Sequence, residues 1–141
     1  MTDVVLDASV AAKWAFPGED LAQQADDLVE DYGRAKLRFL VPDIFWAELG
    51  NVAWKGVRLS KWSRSFAEQA IAEMAGRHLP TVPSRALLPE ALAIACEYDR
   101  TLYDSLYVAL ANTTNSLLIT ADRKLANALA GSFAVRWLGS L

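Results

Sequence analysis

The sequence offers almost no sulfur or imidazole: one cysteine, Cys96, and one histidine, His78. A lone thiol excludes an intramolecular disulfide and any cysteine-built metal site. Cys96 ends the apolar stretch Ala91-Leu92-Ala93-Ile94-Ala95 and is expected as a buried structural thiol. His78 precedes Leu79-Pro80 and is expected in a surface loop. No apolar run approaches the roughly 18 residues of a membrane span. The opening Met-Thr-Asp-Val-Val-Leu-Asp has neither the basic region nor the cleavage pattern of a signal peptide, so a cytoplasmic location is expected. Positive charge is also short: the formal net charge is −3. A protein that grips nucleic acid with its whole surface would be basic, so any such binding needs a local basic patch.

What is present suits a globular chain. The 141 residues are 53% hydrophobic and 22% charged, enough for one domain over residues 1–141 with a sizeable core. No repeat, low-complexity stretch or linker interrupts them. Val4-Val5-Leu6 is a short β-branched run expected as a buried parallel strand. Ser9 is placed to cap a helix from Val10 to Phe16, which Pro17-Gly18 stops. A second helix is expected from near Glu19 to Tyr32-Gly33, its acids Asp20, Asp26, Asp27 and Glu30 on a solvated face. Leu37–Val41 reads as a strand. Asp43 then caps a helix to about Arg58, and Ser60 starts another over Lys61–Ala75 that Gly76 ends. A short strand near Leu79–Val82 follows, then helices over Leu88–Tyr98 and Leu102–Ala111 and a buried strand over Ser116–Thr120. A helix over Arg123–Ala130 and a strand at Ala134-Val135 close the chain. Strands alternating with helices predict an α/β fold: a three-layer sandwich whose central, mostly parallel sheet is flanked by helices.

Ligands of an open parallel sheet sit at the carboxyl ends of its strands. Two strands here run into a carboxylate, Asp7 and Asp122, which parallel strands would bring to one edge. Glu48 shares a stripe with Ile44 and Val52 at spacing four and so faces inward with apolar neighbours. Asp104 opens an apolar helix on a stripe with Val108 and Ala111. A structural reading stands beside each. Asp7 and Asp122 would cap the helices that follow them, Thr101-x-x-Asp104 matches a capping box, and Glu48 would pair with a buried arginine. Four converging carboxylates, however, would repel and their pKa values would rise. A hard divalent cation removes that conflict, and oxygen-only ligands favour Mg²⁺ or Mn²⁺ over zinc.

Val5-Leu6-Asp7-Ala8-Ser9-Val10, the helix of Glu48, Tyr103-Asp104-Ser105-Leu106-Tyr107-Val108-Ala109-Leu110-Ala111 and Leu118-Ile119-Thr120-Ala121-Asp122-Arg123-Lys124-Leu125 together resemble the PIN domain family, and within it the VapC-type toxins of toxin–antitoxin pairs. The order and separations fit over nearly the whole chain. The resemblance implies a metal-dependent endoribonuclease, a phosphodiester hydrolase whose acidic quartet is Asp7, Glu48, Asp104 and Asp122. It implies that Ser9 and Thr120 hold the metal's water shell or the acids, and it offers Asp99 as an outer acid, although Tyr98-Asp99-Arg100 fits a helix end equally. It also implies RNA as substrate, a VapB-like antitoxin as partner and a homodimer. Many relatives carry a further acid shortly after the position of Asp122; Arg123, Lys124 and Leu125 stand here instead, which bears on whether a second metal is held.

Candidate RNA contacts are Arg123 and Lys124 beside Asp122, and Lys55 and Arg58 within a cluster that adds Lys61 and Arg64 between Trp54 and Trp62. Cations and stacking rings are what single-stranded RNA recognition uses. A solvated face with two ordinary tryptophans is the plainer alternative. Five tryptophans in all suggest partner surfaces, with Trp46 and Trp54 lining an antitoxin groove unless both rings are buried in the core. A receiver domain would need an acid pair after the first strand, and an Asp-x-Asp phosphatase would need an acid where Ser9 stands. The remaining alternative is a PIN-like module that binds RNA or protein without cutting.

Overall fold

A computed structural model describes residues 2–18 and 20–141. In chain order the elements are β1 (Thr2–Leu6), α1 (Ala8–Ala15), α2 (Ala22–Gly33), β2 (Leu37–Pro42), α3 (Ile44–Arg58), α4 (Arg64–Ala75), β3 (Thr81–Val82), α5 (Ser84–Tyr98), α6 (Leu102–Thr113), β4 (Leu117–Thr120), α7 (Arg123–Leu129) and β5 (Val135–Trp137). A 3₁₀ turn over Leu138–Ser140 follows. The strands form one five-stranded sheet in the order β3-β2-β1-β4-β5, and every pairing is parallel. The order runs outward from β1 in both directions. Right-handed crossovers therefore place helices on both faces, giving the three-layer sandwich expected.

The central strands are apolar because both their faces are covered. Val5, Leu6, Phe39, Val41 and Leu118 are fully buried. Each such side chain stabilises the fold by about 1.5–3 kcal/mol. α6 is the most enclosed helix: Ser105 through Ala111 are all buried, and it packs on β1, β2, β4 and α5. A helix apolar on every side has to lie inside.

Several local expectations are corrected. α1 begins at Ala8, not Val10, because Asp7 takes the N-cap and its carboxylate accepts from the Ser9 N–H. α4 begins at Arg64, capped by the Ser63 hydroxyl rather than by Ser60, which instead has φ 58°. α5 starts at Ser84, ahead of Leu88, and continues through Pro89 with one backbone hydrogen bond forgone. Asp43 precedes α3 without a side-chain capping bond; its carboxylate receives the Ser84 hydroxyl instead. Cys96 is exposed, not buried, because the inward stripe of α5 is Leu87, Ala91 and Ile94. The expected start at Glu19 lies outside the described residues. Asp26, Asp27 and Glu30 of α2 are exposed as anticipated, and so is His78. Among the described residues no helix is long and apolar enough to cross a membrane.

Candidate active site

From β1 the chain runs outward to β2, and from β4 outward to β5 on the other side. Between such neighbouring strands a crevice opens at their carboxyl ends. Asp7 follows β1 directly and Asp122 lies two residues beyond β4, so both stand at that crevice.

Asp7 is buried and fixed from three sides. Its N–H donates to the Ile119 carbonyl at 3.2 Å. Its Oδ1 accepts from the Ser9 N–H at 3.3 Å, and its Oδ2 accepts from the Thr120 hydroxyl at 2.6 Å. The same Thr120 oxygen accepts the Asp122 N–H at 3.0 Å, while the Ser9 hydroxyl accepts the Ala121 N–H at 3.0 Å. Ser9 and Thr120 thus stitch the turn after β4 onto the carboxylate after β1. Asp122 itself caps α7, its Oδ1 accepting from the Leu125 N–H at 3.2 Å.

Helices bring the other two acids. Asp104 sits half-buried in the first turn of α6, where its N–H donates to the Thr101 hydroxyl at 3.0 Å. Glu48 of α3 is half-buried, and its Oε1 accepts from the Tyr107 hydroxyl at 2.6 Å. The alternative of a buried arginine partner for Glu48 is corrected: the partner is a tyrosine. Tyr107 is a functional candidate that the sequence reading passed over. The available signal was a tyrosine inside an all-buried helix, whose hydroxyl has to find a partner.

Three of these acids are shifted, first by burial and then by neighbouring carboxylates. Burial pushes the Asp7 carboxyl above its ordinary value, against the lowering by Thr120 and Ser9, and the Asp104 charge adds to the rise. Burial also raises Glu48; the Tyr107 hydrogen bond opposes this, and Asp7 and Asp104 reinforce it. Asp104 is raised by burial and then by Asp122, with Thr101 and Arg100 opposing. Burial and the nearby Asp7 and Glu48 charges push the Tyr107 hydroxyl up, so it stays protonated and donates.

This donor set fits a hard divalent cation. It is all oxygen, and three of its carboxyls are held above their usual range by burial and by the like charges near them, a cost that a bound cation would offset. Among the described residues, however, no three His, Cys, Asp or Glu side chains stand at metal-ligating spacing. Each carboxylate leans on its own hydrogen-bond partner, and their mutual repulsion favours separation.

The basic candidates divide by position. Arg123 and Lys124 are exposed beside Asp122, with the Arg123 guanidinium 4.8 Å from the centroid of Trp137. Lys55 and Arg58 are exposed on α3, about 10–15 Å along the helix from Glu48 at about 1.5 Å per residue. The Arg58 guanidinium covers the Trp54 ring at 4.9 Å. Trp62 belongs to the fold: it stacks on Phe16 at 4.6 Å and donates to the Ala53 carbonyl at 3.2 Å. Trp46 is half-buried and donates to the Thr81 hydroxyl, whereas Trp54 is 56% exposed, so the two rings are not both core. Asp99 is exposed at the C-cap of α5 in a left-handed conformation, the helix-end position open to it.

The chain is similar to several known proteins. Residues 4–129 match the PIN domain family. The chain is 31% identical over 125 residues to Ribonuclease VapC3 of Pyrobaculum aerophilum, covering 87% of this chain and 92% of that protein. It is 34% identical over 113 residues to Exonuclease VapC9 of the same organism, covering 74% and 76%. Among solved structures, PAE2754 from Pyrobaculum aerophilum superposes with a TM-score of 0.69 at 27% identity, over 99% of this chain and 85% of the other. A chain of a toxin–antitoxin complex from Klebsiella pneumoniae shares the fold, with a TM-score of 0.63 at 18% identity over 94% and 95%.

Proposed function

We propose that this chain, which belongs to the PIN domain family, is a divalent-metal-dependent endoribonuclease and the toxin of a VapBC-type toxin–antitoxin pair. The observation that carries the reading is electrostatic proximity across four separate elements: Asp7 and Asp104 act on Glu48, and Asp122 acts on Asp104, beside the carboxyl ends of β1 and β4. Those four residues would hold Mg²⁺ or Mn²⁺. When bound, the cation supplies Lewis acidity toward a water and a phosphodiester.

The chain's own residues do the positioning. Thr120 and the Ser9 N–H orient Asp7, Tyr107 orients Glu48, and the α6 cap sets Asp104. Arg123 and Lys124 stand where a phosphate entering beside Asp122 would meet positive charge. Asp122 is exposed and Asp104 half-exposed. Both carboxylates are therefore open to a phosphodiester approaching from solvent.

An antitoxin fits the groove between α3 and α4, about 480 Å³ and lined chiefly by Ala53, Trp54, Val57, Ala67 and Ile71. Such an apolar trough suits the apolar face of a partner helix. A cytoplasmic homodimer completes the reading.

The test is cleavage of a circular RNA pool and its linear counterpart by purified, antitoxin-free protein with Mn²⁺, beside EDTA and Asp7→Asn controls. Cutting of the circles that both controls abolish is expected. Cutting of linear RNA alone would replace endonuclease with exonuclease. Absence of both cleavage and metal binding would leave a non-catalytic module.

A further inference from the structure

Trp137 is the last residue of β5, and its register partner on β4 is Thr120, whose hydroxyl holds Asp7. Registered neighbours of a parallel pair leave the sheet on the same face, with strands about 4.8 Å apart. The indole therefore stands beside the acids, on the face that the Thr120 hydroxyl shares. Backbone fixes it there. A Cβ on Gly139 would lie 2.4, 2.5 and 2.6 Å from three consecutive atoms of the six-membered ring. Distances so nearly equal put Gly139 against the ring's face rather than its edge, a seat that only a residue without a side chain can provide. The Arg123 guanidinium lies over this half-buried ring, 4.8 Å from its centroid.

Local stability does not account for that cation. Arg123 is the first residue of α7, the end of a helix where the dipole disfavours positive charge. Its neighbour Asp122 directs Oδ1 to the Leu125 N–H instead. Among the described residues Arg123 has no ion pair and no hydrogen bond, and it is exposed. A guanidinium resting on an indole keeps its N–H donors free, because they radiate in its own plane. Stacking also removes rotamer freedom before any ligand arrives. The result is a fixed fork of unused donors one residue from Asp122. Such a fork matches two oxygens of a phosphate.

We propose that Trp137, seated on Gly139, is a positioning residue that holds Arg123 as a preset fork for one phosphate of the bound RNA strand. The inference rests on the RNA-binding part of the reading above and not on cleavage.

Binding of a labelled single-stranded oligoribonucleotide to the full chain, followed by anisotropy in EDTA, tests it without metal-dependent cutting. Arg123→Ala and Trp137→Leu should each weaken binding about tenfold, and the double substitution should weaken it no further. Each should also flatten the slope of log affinity against log salt by about 0.7, the share of one phosphate contact. Trp137→Phe, which keeps a ring face, should restore most of the affinity. Arg123→Lys, which keeps the charge but not the fork, should restore little. Trp137→Met replaces Trp137→Leu if the latter does not fold. Unchanged binding in the folded Trp137 variant would overturn the inference. So would a loss that adds to that of Arg123→Ala at an unaltered salt slope, which would make the indole a base-stacking surface in its own right. A parent chain that binds no RNA would overturn the RNA substrate and this inference together. The expected pattern in a chain that cuts nothing with Mn²⁺ would uphold the inference and overturn the nuclease alone.

Discussion

At the scale of single residues, the site rests on hydroxyl groups that aim carboxylates. Tyr107 is the clearest case: a buried ring whose hydroxyl is 2.6 Å from Glu48. Tyr107→Phe keeps the ring and removes only that bond. Glu48 is half-exposed, so water replaces part of the loss and stability should fall by only about 1 kcal/mol. Affinity for Mn²⁺, read by calorimetry, should weaken about 10–100-fold, as when other groups that orient ligands are removed. Unchanged affinity would show that Tyr107 merely packs. Asp7→Asn acts in the opposite sense. It removes a buried charge that Asp104 and Glu48 repel, so the metal-free variant should melt no lower than the parent at neutral pH while cleavage is lost. A marked drop in its melting temperature would mean that the Ser9 and Thr120 hydrogen bonds outweigh the charge they hold.

Elements supply what residues cannot: placement. α3 carries Glu48 at one end and the Trp54 side of the groove at the other, and its seating depends on Gly56. A Cβ at Gly56 would stand 1.9 Å from the Trp62 ring. That ring is stacked on Phe16 and hydrogen-bonded to Ala53, so it cannot yield without losing both contacts. Gly56→Ala should cost about 1–3 kcal/mol by chemical denaturation, in the range of overpacked cores. The same helix pair bears the groove assigned to the antitoxin. Ile71→Asp, half-buried on α4, should leave RNA cleavage intact and weaken binding of the proposed antitoxin, measured by calorimetry. Unaltered binding would move the antitoxin to another face.

For the whole molecule, the gathered acids make stability depend on pH and cation. Asp7, Glu48 and Asp104 have folded values above the ordinary 3.8, 4.5 and 3.8, so across that interval the folded chain holds more protons than the unfolded one. Stability then falls as pH rises from the ordinary values through the raised ones. In EDTA, thermal melts should show this decline from about pH 4 upward, and it should flatten in Asp7→Asn. Divalent cation should reverse it, with an effect that grows with pH because the ionised carboxylates are the ligands. At a hundred times Kd the gain should be about 2.7 kcal/mol. A parent chain whose melts in EDTA keep the same pH profile as Asp7→Asn would remove the acid cluster as their cause.

The sequence by itself determined the alternation of strands and helices, the parallel sheet and the acids that end β1 and β4. Those follow from periodicity and from the rule that ligands gather at strand carboxyl ends, both of which are local or topological. It also marked Glu48, since an acid on an apolar stripe is anomalous wherever the helix packs. Tertiary structure decided the rest. Which hydroxyl meets which carboxylate depends on residues far apart in the chain, such as Thr120 with Asp7 and Tyr107 with Glu48. Which side of α5 turns inward depended on packing, because both sides are apolar; the buried stripe went to Leu87, Ala91 and Ile94, and Cys96 was left in solvent. Periodicity reports that a helix has an apolar face. When two faces qualify, only the neighbours it packs against choose between them.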